Sequence, residues 1–132
     1  MTQFKNFIGG EWVDDNDSAP NVNPSETSDV TGHFARARAD QTQKAIASAR
    51  SAFRTWSLST PQQRFDLLDQ VGSTILARKN ELGKLLAREE GKTLAEAVGE
   101  VGRAGQIFKF FAGEALRVGG EFAPPVRPGL TV

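Results

Sequence analysis

Few side chains in this sequence could do chemistry, and their spacing narrows what that chemistry would be. The one histidine, His33, stands beside Phe34 with no Ser or Cys nucleophile in a recognisable context and no companions to complete a metal ligand set, so it is read as structural. There is no cysteine, which removes thiolate nucleophiles, disulfides and every Cys-based metal site. Glu89 and Glu90 are adjacent carboxylates just before Gly91, near an expected helix C-terminus where the macrodipole disfavours negative charge. They read either as a hydrated surface pair or as a place where a bound cation would offset that charge.

Gly99, Gly102 and Gly105 resemble a phosphate-binding loop at first sight. Such a loop must follow a strand and open a helix, whereas these glycines fall inside a helical pattern, so no dinucleotide site is read there. Their spacing places them along one helix face, where each costs about 1 kcal/mol relative to alanine. Close packing of another backbone, or the wall of a cavity, would compensate. Arg103 lies among them and could project its guanidinium over space that no bulky neighbour fills, gripping a carboxylate bidentately. The alternative is a solvated Arg paired with Glu96, Glu100 or Gln106.

The elements that must position these residues are marked unevenly. Phe7-Ile8 and Glu11-Trp12-Val13 flank Gly9-Gly10 and predict a two-residue hairpin. Asp14 to Pro20 reads as loop, residues 21–29 as a turn, and Val30 to about Arg38 as extended. From Asp40 the apolar period changes from 2 to 3.6. Asp40 with Gln43 predicts a capped helix through Ala45, Ile46, Ala49, Phe53 and Trp56. Thr60-Pro61-Gln62-Gln63 marks a second helix start, with a hydroxyl cap, proline where its missing N–H is harmless, and Gln to close a capping box. That helix runs to about Lys79. Asn80 is read as the cap of a short third helix ending at Gly91, and Thr93 with Glu96 as the capping box of a long fourth helix closed by Gly119-Gly120. Phe110 and Phe111 are adjacent on it and cannot both face one narrow core, so exposed apolar surface is expected. The last residues, Leu130-Thr131-Val132, read as an incipient strand with nothing left to pair with.

Composition supplies exclusions. The 132 residues carry 16 Lys+Arg and 16 Asp+Glu, a formal net charge of zero without long runs of one sign. Nothing there favours nucleic acid or an anionic membrane as a partner. At 39% hydrophobic and 24% charged residues the composition is that of a globular protein. The length supports at most one domain. No apolar run approaches the ~18 residues of a spanning helix. The opening residues lack a secretory pattern, and the expected compartment is the cytoplasm.

Taken in order, Phe7-Ile8-Gly9-Gly10-Glu11-Trp12-Val13, Asn23-Pro24, Ala49, Ala52-Phe53 with Trp56, Glu89-x-Gly91-Lys92, Glu96-Ala97, Glu100-Val101 and Phe111-Ala112-Gly113-Glu114-Ala115 resemble the N-terminal part of the NAD(P)-dependent aldehyde dehydrogenase superfamily. The resemblance covers nearly the whole chain. It implies an α/β fold of which this chain is a partial domain, mostly helical with an N-terminal β-hairpin region: residues 1–39 hairpin and extended segments, 40–118 four helices, 119–132 a Pro-rich exit. It also implies a reaction in which a Cys attacks an aldehyde, hydride passes to nicotinamide and a Glu-activated water releases the carboxylate. The family's nucleophile, general base, oxyanion Asn and cofactor segment fall beyond Val132, in the remaining three-quarters or so of a usual member. The chain alone is therefore expected to be inactive and to hold no cofactor. NAD or NADP would serve the complete enzyme, a homo-oligomer, and the chain's partner would be the rest of that fold.

The resemblance carries two sets of residues. A monovalent cation in this family is held by backbone near the Asn-Pro turn and by an acidic side chain before the Gly-Lys pair, matching Asn21, Val22 and Glu89. The wall of the aldehyde tunnel matches Gly99 and Arg103, where glycine widens the tunnel and arginine favours an aldehyde with a distal carboxylate. With the Pro125-x-Arg127-Pro128-Gly129 lead-in, the pattern is most similar to the branch acting on semialdehydes such as 2-oxoglutarate semialdehyde. The competing reading is a non-catalytic helical binding module that docks a protein partner. Covered apolar faces would favour the module; exposed ones favour the partial domain.

Overall fold

A computed structural model describes residues 2–14 and 17–120. In chain order the elements are β1 (Gln3–Phe4), β2 (Asn6–Ile8), β3 (Glu11–Val13), β4 (Ser18–Val22), β5 (Val30–Ala35), α1 (Ala39–Trp56), α2 (Pro61–Ala77), α3 (Lys79–Glu90) and α4 (Leu94–Ala115). The exit segment from Glu121, including the Pro125-x-Arg127-Pro128-Gly129 lead-in and Leu130 to Val132, lies outside the described residues.

Strands β2 and β3 form the expected hairpin, pairing Phe7 with Trp12. Gly9 and Gly10 turn the chain at φ +64° and +89°, angles that L side chains rarely adopt. In the other sheet β5 lies centrally, parallel to β1 and antiparallel to β4. Here the extended structure begins earlier than sequence suggests. Ser18-Ala19-Pro20, expected as loop, and Asn21-Val22, expected as turn, make up strand β4. Proline is tolerated because β4 is an edge strand, whose outward N–H has no ladder bond to lose. A register shift between Asn21 and Val22 loosens the pairing where the turn begins.

Local signals set the helices wherever a cap closes within the helix itself. Thr60 and Gln63 form a reciprocal capping box at α2, as do Thr93 and Glu96 at α4. Gly91 ends α3 in the left-handed conformation at φ +68°. The other two expected N-caps are displaced, and α4 ends at Ala115 with Leu116 as its C-cap, short of the Gly119-Gly120 pair expected to close it. Helix α1 begins at Ala39 with Arg38 as its N-cap, so Asp40 lies in the first turn instead of capping it. The reason is tertiary. Gln41 is buried and bridges to the hairpin, accepting from Asn6 Nδ2 at 2.7 Å and donating to the Asp14 carbonyl at 3.2 Å. Asn80 lies inside α3, because Arg78 both closes α2 and opens α3. Arg78 is held there by a forked pair to Glu81, with Nε and Nη2 at 3.0 and 2.6 Å from its carboxylate oxygens.

Helix α4 is the centre of the helical layer, with α2 and α3 packed on it. Its buried stripe is Ala97, Val101, Gly105 and Ala112. Gly72 of α2 sits against Gly105: a Cβ on Gly72 would stand 2.9 Å from the Gly105 carbonyl, and one on Gly105 only 2.7 Å from Leu76 Cγ. An ion pair between Lys109 and Asp69 at 2.7 Å closes the same seam. Yet among the described residues the apolar core consists of Ala97, Val101 and Ala112, and no large side chain is fully buried. Among the described residues many large apolar side chains stay exposed, among them Trp12, Phe53 and Leu58 at 68%, 66% and 82%. The expectation of exposed apolar surface holds, and it argues against a self-contained binding module. No helix among the described residues is long and apolar enough to cross a membrane.

Candidate functional site

The two sets of candidate residues fall on different elements. Gly99 and Arg103 lie on α4 with Gln106 and Phe110, at the spacing i, i+4, i+7 and i+11 that brings residues to one helix face. All four are exposed. This face is turned away from the buried stripe, so nothing from α2 or α3 covers it. Gly99 and Gly102 have no atoms within 4 Å of where a Cβ would stand, whereas Gly105 is tightly enclosed. Of the two compensations open to the three glycines, close backbone packing holds at Gly105, and an uncovered surface surrounds Gly99.

Arg103 forms no hydrogen bond or ion pair among the described residues. The two carboxylates among its expected surface partners are engaged elsewhere. Glu96 Oε2 accepts from Thr93 Oγ1 at 2.6 Å, a bond that holds the Glu96 carboxyl below the usual carboxylate range. Glu100 pairs with Lys92 Nζ at 2.7 Å. The side chain thus offers a planar fork of donors to a planar acceptor, beside a face kept low by glycine.

The second set gathers where α3 ends. Asn21 Nδ2 donates to Glu89 Oε1 at 2.8 Å, bringing together two residues 68 positions apart. They line a cleft of about 280 Å³ with Ala19, Pro20 and Phe34. Val22 ends β4 and pairs with Val30. The Asn21 carbonyl accepts from Thr31 Oγ1 at 3.0 Å. Both acidic residues at the helix end have partners from the chain itself: Asn21 for Glu89, and Lys92 for Glu90. The carboxylates of Glu100 and Glu90 together hold the Lys92 ammonium above its ordinary value. The unfavourable end of the α3 dipole is thereby offset by an amide and an ammonium. A carboxylate and backbone carbonyls are suitable donors for a hard cation, but no cluster of three His, Asp or Glu that could hold a metal occurs among the described residues.

Sequence reasoning missed the clamp beside this cleft. Arg88 grips Asp29 through Nε at 2.7 Å and Nη2 at 2.5 Å, and also donates to the Val30 carbonyl at 3.3 Å. That fork holds the Asp29 carboxyl below the usual range. Ser25 Oγ donates to the Gly91 carbonyl at 2.7 Å. Together they fasten the 23–29 turn to the end of α3. The partners are more than fifty positions apart, and no local pattern signals them. Gln106 and Phe110, by contrast, could have been added to the Arg103 face from helical spacing alone. No hydrogen bond or ion pair among the described residues joins the Arg103 face to the Asn21–Glu89 cleft.

The three glycines lie within α4, and the helix's first turn is already satisfied by the Thr93–Glu96 box. His33 is half-buried in the central strand, between Gln3 and Pro20.

Comparison with known proteins assigns this arrangement. The chain is 37% identical over 126 residues to the mitochondrial succinate-semialdehyde dehydrogenase of Arabidopsis thaliana, covering 95% of itself and 24% of that protein. It is 32% identical to the alpha-ketoglutaric semialdehyde dehydrogenase of Bacillus subtilis, covering 92% of itself and 25% of the relative. Its fold superposes with a TM-score of 0.89 on a Staphylococcus aureus betaine aldehyde dehydrogenase solved with NAD+, at 27% identity, across 94% of this chain and 26% of that one. The chain thus spans about a quarter of the length of the proteins it matches. Since the sequence pattern of the aldehyde dehydrogenase family also matches residues 12–131, the chain belongs to that family.

Proposed function

We propose that this chain forms the N-terminal layer of an NAD(P)-dependent aldehyde dehydrogenase that oxidises an aldehyde bearing a distal carboxylate, and that its own contribution is recognition. The observation that carries the reading is Arg103, exposed on the Gly99–Arg103–Gln106–Phe110 face while the neighbouring carboxylates are engaged elsewhere. A guanidinium in that state is available to a substrate carboxylate, and Gly99 leaves the approach open. Two relatives are named for succinate and alpha-ketoglutaric semialdehydes, both acidic. With no cysteine in the chain, the nucleophile must come from the remainder of the fold, along with the NAD or NADP site. The complete enzyme is read as a homo-oligomer.

The test is a single polypeptide in which this segment replaces the first quarter of the Bacillus subtilis relative. Arg103→Ala should raise KM for an acidic semialdehyde by about 10- to 100-fold, the loss of one charge-assisted contact, while sparing a neutral aldehyde. Equal effects on both substrates would remove Arg103 from recognition. We further assign Asn21, Val22 and Glu89 to a monovalent cation, held by backbone carbonyls and the Glu89 carboxylate. Thermal stability should then rise with potassium or sodium chloride more than with choline chloride, and Glu89→Gln should abolish the difference. An undiminished difference in the variant would refute the assignment.

A further inference from the structure

Gln106 stands on the open face of α4 with no use so far. It lies three residues beyond Arg103, about 4.5 Å along the helix axis and about 60° round it. It is exposed, and its side-chain amide makes no hydrogen bond among the described residues, with Arg103 or with any other group. Gln43 and Gln70 share that state. What sets Gln106 apart is the surface it leans over.

Long side chains on a helix lean toward its N-terminus, over the residues three and four positions back. For Gln106 these are Arg103 and Gly102, and for Arg103 they are Glu100 and Gly99. Nothing lies within 4 Å of where a Cβ on Gly99 or Gly102 would stand. Each of the two polar side chains therefore has bare helix four residues back, and the amide of Gln106 comes alongside the guanidinium of Arg103. Glu100, the carboxylate nearest to both in sequence, is drawn off by Lys92 Nζ at 2.7 Å.

The two groups read different chemistry. A guanidinium fork takes both oxygens of a carboxylate. A carboxamide is neutral and offers N–H donors beside a carbonyl acceptor, which complements an uncharged oxygen. Nearly one helical turn from the fork, it meets the part of a ligand that adjoins the carboxylate. We infer that Gln106 is a specificity-determining residue: its amide donates to an oxygen on the carbon next to the carboxylate held by Arg103, so that a 2-oxo acid aldehyde is preferred to the same chain with a methylene there. A methylene would leave the amide desolvated without a partner, and that loss is the source of the discrimination. The inference rests on the acid recognition assigned to Arg103 and adds to it the class of acid.

The test uses the single polypeptide in which this segment replaces the first quarter of the Bacillus subtilis relative, with 2-oxoglutarate semialdehyde and glutarate semialdehyde as probes. These share chain length, aldehyde and carboxylate, and differ in the oxygen on the second carbon. The readout is the ratio of their kcat/KM values, from which any loss of folded enzyme cancels. Gln106→Met, which keeps side-chain length and helix propensity but removes the donor, should lower the ratio about 3- to 10-fold, the loss of one neutral hydrogen bond. Gln43→Met, the same change on α1, should leave it where it was. An unchanged ratio in Gln106→Met, or an equal fall in Gln43→Met, overturns the inference. Arg103→Ala separates the two readings, since it should weaken both acids relative to a neutral aldehyde. If it does so while the Gln106→Met ratio holds, acid recognition stands and the role of Gln106 falls; if it weakens acids and neutral aldehyde alike, both fall.

Discussion

Two stretches of the same helix differ in what their glycines are for. At Gly105, α4 is pressed against Gly72, and each glycine is needed because the neighbouring helix occupies the space of a Cβ. Less than two turns earlier, Gly99 faces open space beside Arg103, which has no partner among the described residues. A glycine in a helix weakens it, so both positions need a reason. At Gly105 the reason lies inside the described structure. At Gly99 none lies among the described residues, and the proposed recognition role would supply one. The contrast separates a glycine that holds the layer together from one whose surroundings are open.

Substitutions can break that contrast, beginning where the chain is most closed. Gly91→Ala should be the most damaging, by about 3 kcal/mol: the left-handed conformation alone costs ~1–2 kcal/mol, and the new Cβ would meet Ser25 Oγ and Pro24 Cγ at 2.6 and 2.7 Å. Urea unfolding followed by circular dichroism measures the loss. Gly72→Ala should cost about 2 kcal/mol, because its Cβ meets backbone that can yield only if α2 and α4 separate. A neutral effect there would mean that the seam is slack.

Acid should loosen the closed region next. Asp29, Glu81 and Glu96 are held below the ordinary carboxylate range by Arg88, Arg78 and Thr93 respectively. A lowered folded-state value contributes stability above the unfolded-state value and loses it as pH falls through the folded one. The urea midpoint should therefore be level above about pH 5 and decline below about pH 4. Arg88→Ala should flatten part of that decline. On the open side, Gly99→Ala should stabilise the chain by about 0.5–1 kcal/mol, since helix propensity improves and nothing is displaced. In the complete enzyme the same methyl should raise KM for the acidic aldehyde if Gly99 lines the approach. The smallest effect is expected from Arg103→Ala on stability, within about 0.5 kcal/mol, because the side chain holds nothing among the described residues.

The placement of the candidate residues was legible from sequence where it rests on helical periodicity. The Gly99–Arg103 face follows from spacing, and the capping boxes at Thr60 and Thr93 follow from residues three apart whose bonds close locally. Illegible were the features that depend on distant partners. Nothing near Gln41 in sequence signals its bond to Asn6, and the helix begins at Ala39 rather than after Asp40. Ser18-Ala19-Pro20 has the composition of a loop and is a strand because β5 lies beside it. Asp29 and Arg88 meet across 59 positions.

The sequence by itself determined that these 132 residues hold no thiol, the order of the hairpin and the four helices, and the helix starts whose capping bonds span a single turn, because each depends on residue type or on neighbours a few positions away. Only the tertiary structure decided that Gly105 is enclosed while Gly99 is open, that Glu89 faces Asn21, and that broad apolar faces stay uncovered. Those outcomes depend on which backbones approach each other across long stretches of chain, and local periodicity carries no information about that approach.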